Sequence, residues 1–359
     1  IFDTTNPPLK DHLRQTPKLG GLAIFLSLLL AISGLFFLSD FKIAKIPPNY
    51  QYGWGGYYVC ATSLNNDIQN VSVNNIDACR QTGIPLKYLA GILIGALFLL
   101  IGGILDDKYN LKPSRQIIFP ILAIISVIAS GIAPHNISNP FYYLKLSTDP
   151  LVHLEFLKIK LFAFNGVPYY LTLISDAATF FWLFLLIYTT KFLDGLDGLV
   201  AGLTVISGGF LFIISLAFGQ SLIAVLCLSL AASYLGFLPF NFSKGISKCS
   251  RSDIIYFTNH KAKQGNIFLG EAGSTLAGYG LGVLAILGEA KITATLLLLG
   301  IPIFDALWVI SQRLVKDRQS PFLGDRKHLH FKLLAKGLSS QKSVLLLWSL
   351  CFIFGSLGL

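Results

Sequence analysis

The stretch LGGLAIFLSLLLAISGLFFL, residues 19–38, decides the fold class. It carries no charge and has the length that a hydrocarbon core of about 30 Å demands of a crossing helix, roughly 20 residues. Eight further apolar stretches, at 88–105, 116–133, 171–190, 199–218, 221–240, 272–288, 292–311 and 343–359, repeat the pattern. The fifth and sixth are separated only by Gly219 and Gln220, which predicts a tight helical hairpin. Composition agrees: 53% of the residues are hydrophobic and only 13% charged, and mean hydropathy is +0.65. A soluble domain carries about 25% charged residues, so a water-soluble enzyme, a disordered chain, a collagen and a disulfide scaffold are all excluded. The expectation is an all-α polytopic membrane helix bundle with nine transmembrane helices, because helices satisfy their own backbone in lipid. No repeat or low-complexity linker divides the chain, so 1–359 is read as one domain.

The net charge of +10 would suggest nucleic acid in a soluble protein. In a membrane protein it reads as basic cytoplasmic loops, and no nucleic acid is expected. The segment 1–18 and the loops at 106–115, 191–198, 241–271 and 312–342 hold 20 of the 28 Lys and Arg residues; the alternate segments hold 8. The first set is therefore assigned to the cytoplasm, and 40–87 and 134–170 become outer loops. Five cysteines lack any CxxC or Cys/His spacing, so structural zinc is not expected. Cys60 and Cys79 share one outer loop and would pair if it faces an oxidising compartment. There is no methionine, and the missing initiator predicts a natural N-terminus further upstream.

The polar clusters fall in the five cytoplasmic segments. They are Lys10-Asp11-His12 with Thr16-Pro17-Lys18-Leu19-Gly20-Gly21, then Gly102 to Lys108 with Asp106-Asp107, then Lys191 to Gly198 with Asp194 and Asp197, then Asn266 to Ser274, and Asp325 to His330. Each has a structural alternative. Asp106 and Asp107 suit a solvated helix end, although the helix dipole opposes carboxylates at a C-terminus. Asp194 and Asp197 share a face if helical, whereas the intervening glycines allow a turn. His328 and His330 suit a loop, Phe268 an interfacial ring, and Glu271 the first turn of a helix, where the dipole favours it. Co-location weighs against these alternatives, because ionisable groups at a membrane boundary are costly unless paired or functional. Carboxylates with open positions suit Mg²⁺ and its phosphate ligands, and Lys and Arg suit the phosphates. The residues point to Mg²⁺-assisted phosphoryl chemistry between a lipid-borne phosphate and a soluble phosphorylated partner.

The ordered set HxxxxPKxGG, GxxDD, DGLDGL, FLGEAGS and DRKHLH resembles the polyprenyl-phosphate N-acetylhexosamine-1-phosphate transferase family, over essentially the whole chain. The resemblance implies a ten-helix bundle whose first helix is missing here, with active-site loops on the cytoplasmic side of a bacterial inner membrane. It implies transfer of a sugar-1-phosphate from a UDP-sugar to undecaprenyl phosphate, giving UMP and a lipid diphosphate sugar at the start of cell-envelope glycan synthesis. The expected cofactor is Mg²⁺, with Mn²⁺ as a substitute. The expected partners are the UDP-sugar, undecaprenyl phosphate, the bilayer and, as an open option, a second copy of the chain.

By motif position, the resemblance assigns catalysis to Asp106, Asp107, Asp194, Asp197, His328 and His330. Substrate binding falls to Lys18, Arg115, Lys191, Asn241, Phe268 (stacking on uracil) and Arg326, and the metal to Glu271, Asp107 and Asp197. Three departures from the pattern stand out. Glu271 replaces the family's aspartate, Lys191 replaces an asparagine and could hold phosphate or compete with Mg²⁺, and a basic insertion occupies 243–264. A transporter is the rival from another class, but it expects ionisable residues near the midplane and repeated broken helices. An impaired homologue kept as a binding or scaffold protein is the other rival, and Glu271 is the feature that favours it. The sugar itself is not readable from motifs.

Overall fold

The computed structural model describes residues 17–38, 41–46, 56–61, 84–134, 136–138, 151–153, 158–164, 167–242, 267–288, 291–318 and 327–358. Cys79, Arg326 and the insertion 243–264 therefore lie outside the described residues, as do the side chain of Cys60 and the segment from Lys10 to Thr16.

Helices occupy all nine expected positions. In chain order they are α1 (Gly20–Leu38), α2 (Leu86–Tyr109), the one-turn α3 (Pro113–Gln116), α4 (Ile118–Ser130), α5 (Leu173–Leu193), α6 (Leu199–Ala217), α7 (Ser221–Asn241), α8 (Gly270–Leu287), α9 (Lys291–Leu298), α10 (Gly300–Gln312), α11 (Leu329–Ala335) and α12 (Ser340–Leu357). Among the described residues, six helices are long and apolar enough to cross a membrane, or seven if one bent pair counts as a span. The protein is an integral, multi-pass membrane protein. Large side chains such as Phe181, Phe304, Trp308 and Phe352 stay exposed, which suits lipid and not water.

The difference from nine has identifiable causes. The apolar part of α1 is short, at Gly20–Gly34. The eighth expected span breaks by 75° between Ile292–Leu298 and Gly300–Lys316, where the sequence Gly300-Ile301-Pro302 removes a backbone donor. The seventh, α8, is rich in Gly and Ala and enclosed by protein. It packs against α1, α2, α5, α6, α7 and α9, and nearly every residue from 272 to 286 is buried.

Helix α8 is the spine of the bundle. It gives Ala277, Leu281 and Leu284 to the core built on α6, α7 and α12. It also gives Leu276, Tyr279 and Val283 to the core built on α2, α4 and α5. Lipid is as apolar as leucine, so close packing and interhelical hydrogen bonds must hold these helices together. Three such bonds anchor α8. Tyr279 Oη donates to Ile92 O of α2 (2.9 Å), Trp182 Nε1 of α5 to Gly282 O (3.1 Å), and Tyr234 Oη of α7 to Gly273 O (2.7 Å).

The expected outer loops contain strands. β1 (Phe41–Ile46), β2 (Gly56–Ala61) and β3 (Ile84–Pro85) form an antiparallel sheet. β4 (Asn136–Ser138) pairs with β5 (Leu151–His153), and β6 (Lys158–Phe164) with β7 (Val167–Thr172). Residues 171 and 172, placed in the fourth span by hydropathy, belong to β7. Strands adjoin the C-terminus of α1 and the N-termini of α2 and α5. The motif residues lie at the other ends of those helices, about 30 Å away at 1.5 Å per residue.

Candidate active site

The N-terminus of α8 gathers the motif segments. The strip leading into α1 runs beside the strip leading into α8: Phe268 N donates to Pro17 O (3.0 Å), Gly20 N to Phe268 O (3.2 Å) and Gly21 N to Leu269 O (3.0 Å). Helix α2 docks on the same point because Gly103 has no side chain; a Cβ there would run into the Ala272 backbone. That contact brings Asp107 Oδ2 to accept from Glu271 N (3.1 Å) in the first turn of α8, where a carboxylate is favoured by the dipole and satisfies an open donor. Its Oδ1 lies 3.4 Å from Lys18 Nζ. Lys191, in the last turn of α5, places Nζ 2.6 Å from Glu271 Oε1.

Adjacent carboxylates part company here. Asp106 Oδ1 accepts from Leu111 N (2.9 Å) and its carbonyl from Asn110 N (2.7 Å), so Asp106 closes the end of α2 while Asp107 faces α8. The Arg115 side chain, exposed on α3, makes no hydrogen bond or ion pair with a described residue.

The DGLDG segment forms a turn between α5 and α6. Asn241 holds it from behind: its Oδ1 accepts from Gly198 N (2.7 Å), and its Nδ2 donates to Ile267 O (3.0 Å). Both ends of the buried amide thus clamp the turn to the strip before α8. Asp194, at the start of the turn, opens to solvent and has the Ser274 hydroxyl as a hydrogen-bonding neighbour. Enclosure by protein, followed by the charges of Glu271, Asp107 and Asp197, pushes its carboxyl well above the usual range. Burial also pushes Glu271 up to about 7, against the pull of Lys191.

The histidines close the cleft. His330 packs against Gly195, where a Cβ would meet its Nε2. It is fully buried, and neither ring nitrogen has a hydrogen-bond partner among the described residues. Burial, then the charge of His328, lowers its pKa to about 4, so near pH 7 it is a neutral imidazole with an unused donor and an unused acceptor. His328 stacks on Phe192 and on His330.

Two residues here were not singled out in the sequence. Asp305 of α10 lies against His328, Nδ1 to Oδ2 at 2.9 Å. Its signal was legible, as the only charge within 292–311. Arg313, in a π-helical turn after α10, is buried with its guanidinium over the Phe192 ring at 5.7 Å; in the sequence it is one basic residue among many. The cleft thus brings together Lys18, Asp107, Lys191, Asp194, Asp197, Glu271 and His330, with Phe268 in the strip beside α1 and His328 behind His330.

Asp107, Asp194, Asp197 and Glu271 are hard oxygen donors whose charges oppose one another. That chemistry suits Mg²⁺, which binds through few carboxylates plus water and substrate phosphates. Among the described residues no three His, Cys, Asp or Glu side chains form a ready ligand set, and lysine ammonium groups stand on Asp107 and Glu271.

A family model described as glycosyl transferase family 4 matches residues 89–289, more than half of the chain. A probable undecaprenyl-phosphate N-acetylglucosaminyl 1-phosphate transferase of Bacillus subtilis is 31% identical over 272 residues, covering 74% of this chain and 64% of the relative. A decaprenyl-phosphate N-acetylglucosaminephosphotransferase of Mycolicibacterium smegmatis is 26% identical, over 96% of this chain and 72% of the relative. An undecaprenyl-phosphate alpha-N-acetylglucosaminyl 1-phosphate transferase of Escherichia coli is 29% identical over 50% of this chain and 46% of the relative. The chain spans less than two thirds of the Bacillus subtilis relative's length.

Proposed function

Because the chain belongs to glycosyl transferase family 4, we propose that it transfers an N-acetylhexosamine-1-phosphate from a UDP-sugar to a polyprenyl phosphate. The observation that carries this reading is the meeting of Asp107, Asp194, Glu271, Lys18, Lys191 and His330 at the N-terminus of one buried helix. An oxygen of the lipid phosphate attacks the β-phosphorus of the UDP-sugar. The bond from that phosphorus to the bridging oxygen breaks, and UMP leaves with the electron pair.

Phosphoryl transfer asks a protein mainly to position reactants and offset charge. Lys18 and Lys191 are the ammonium groups at hand for the phosphates, and His330 offers a neutral N–H. Phe268 supplies a ring at the mouth of α1 for the uracil. Asp107, Asp197 and Glu271 would hold Mg²⁺, which when bound neutralises charge on the diphosphate. The lipid chain has a site of its own. At the bend between α9 and α10 lies a cavity of about 570 Å³ lined by Leu296, Leu297, Ile301, Phe304, Trp308 and Phe354, with Asp305 and Lys332 also on its wall. An isoprenoid tail matches that apolar wall, and the polar residues suit its phosphate end. The excess of basic residues on the motif side supports a cytoplasmic active site in a bacterial inner membrane.

The test is UMP release by the chain in proteoliposomes. UMP should appear from a UDP-N-acetylhexosamine only when undecaprenyl phosphate and Mg²⁺ are both present. Lipid-independent release, or none across a panel of UDP-sugars, would overturn the reading.

A further inference from the structure

We infer that Asp305 is a positioning residue: from the wall of the apolar cavity it fixes the tautomer and orientation of His328, the buried imidazole behind the cleft. The inference rests on the phosphotransferase reading and adds a residue that no motif contains.

Asp305 uses both carboxylate oxygens on the histidine segment. Oδ2 lies 2.9 Å from His328 Nδ1, and Oδ1 accepts from Leu329 N at 3.0 Å. The backbone bond sets where α11 begins, and the ring bond sets which nitrogen carries the proton. A carboxylate facing Nδ1 demands Nδ1–H, which leaves Nε2 as the unprotonated, accepting nitrogen of the neutral ring. Burial makes this constraint firm: Asp305 is 8% exposed and His328 is 4%, so little water competes. Stacking of His328 between Phe192 and His330 holds the ring plane, leaving its rotation within that plane to Asp305.

Location argues for function over simple helix capping. An ionisable residue within an apolar span is costly and calls for a reason, and a serine or asparagine would cap α11 at less cost. Asp305 and Leu329 also line the cavity at the α9–α10 bend, so one carboxylate touches both the proposed lipid site and the imidazole behind the cleft. The carboxylate cluster at α8 is served by other elements, which predicts an effect on turnover and not on nucleotide-sugar binding.

The test compares wild type, Asp305→Asn, His328→Asn and the double variant in proteoliposomes, varying UDP-sugar and lipid separately. Asp305→Asn should lower kcat by about 10- to 100-fold, the usual cost of losing the partner that orients a working histidine. The KM for UDP-sugar should stay within about twofold of wild type. The double variant should be no slower than His328→Asn alone, because Asp305 acts through His328. Wild-type turnover in Asp305→Asn, or multiplying losses in the double variant, would overturn the inference. A wild-type chain that releases no UMP overturns the phosphotransferase reading as well. A second measurement needs no folded variant at position 305: ¹⁵N-histidine spectra of the unsubstituted protein should show His328 protonated at Nδ1, and an unprotonated Nδ1 overturns the inference.

Discussion

Lys191 Nζ lies 2.6 Å from Glu271 Oε1, with the two side chains 15% and 16% exposed. The motif resemblance singles out these same two positions, expecting an asparagine and an aspartate there, and in the folded chain they meet as one ion pair. The two long side chains reach each other across the cleft, and each offsets the other's charge. Truncating one partner leaves an enclosed charge without compensation. Lys191→Asn and Glu271→Asp should each lower turnover and melting temperature, and the double variant should recover part of both. A coupling energy of about 1–3 kcal/mol is expected for contacting charged residues. Strict additivity of the two losses would show that the pair is incidental.

Asp106 and Asp107 are neighbours in sequence with different work to do. Asp106 accepts from Leu111 N beyond the helix end, a bond that an asparagine oxygen can also accept. Asp107 accepts from Glu271 N and pairs with Lys18, and its charge is what the lysine and the helix N-terminus answer. Asp107→Asn should cut UMP release by at least about 100-fold, on the scale of losing an electrostatic group in a reacting site. Asp106→Asn should cost less than about tenfold, with the melting temperature near wild type because the net hydrogen bond, worth about 1 kcal/mol, survives. Equal losses in the two variants would remove the distinction.

How much of this was readable beforehand depends on where each signal lives. Charges are scarce in a membrane chain, so Asp107, Asp194, Glu271 and the histidines stand out in the sequence. Their pairings do not, because Lys18 meets Asp107 and Lys191 meets Glu271 only through packing of α1, α2 and α5 on α8. Residues one apart on a helix point about 100° apart, which separates Asp106 from Asp107 in space but not in a motif. Asp305 was absorbed into a hydropathy window that averages one charge away. The β6–β7 pair is masked in the sequence for a related reason. Its strands KIKLFAF and VPYYLT flank Asn165-Gly166, a strong hairpin signal, but an apolar run beginning at 171 drew the boundary of the fourth span too early.

Stability should depend on pH through groups of opposite sign. Glu271 is raised from 4.5 to about 7 by burial, so its contribution is fully present below pH 4.5 and is lost as pH rises through 7. Asp194, also raised, acts in the same direction. His330 is lowered from 6.5 to about 4 by burial and by His328, so its contribution is present above pH 6.5 and lost as pH falls through 4. Melting temperatures in detergent should therefore decline at both ends of the range from pH 4 to 8. Glu271→Gln should flatten the alkaline decline and His330→Asn the acid one. A wild-type profile left unchanged by both variants would remove these groups from the account.

The cleft exists because α2 can reach the first turn of α8, and Gly103 is the residue that permits it. A Cβ at Gly103 would strike the Ala272 backbone, whereas one at Gly209, on α6, would meet nothing within 4 Å. Backbone does not yield as a flexible side chain does, so Gly103→Ala should push α2 outward at a cost of about 1–3 kcal/mol, typical of overpacking. Outward movement carries Asp107 away from Glu271 N and Lys18, and turnover should fall further than the stability loss alone explains. Gly209→Ala is the matched control, since alanine is the better helix former by about 0.8–1 kcal/mol and has room there. Its melting temperature and UMP release should equal or exceed wild type. If Gly103→Ala behaves like Gly209→Ala in both measurements, the approach of α2 to α8 does not build the site, and Asp107 must be held by the strip before α1 instead.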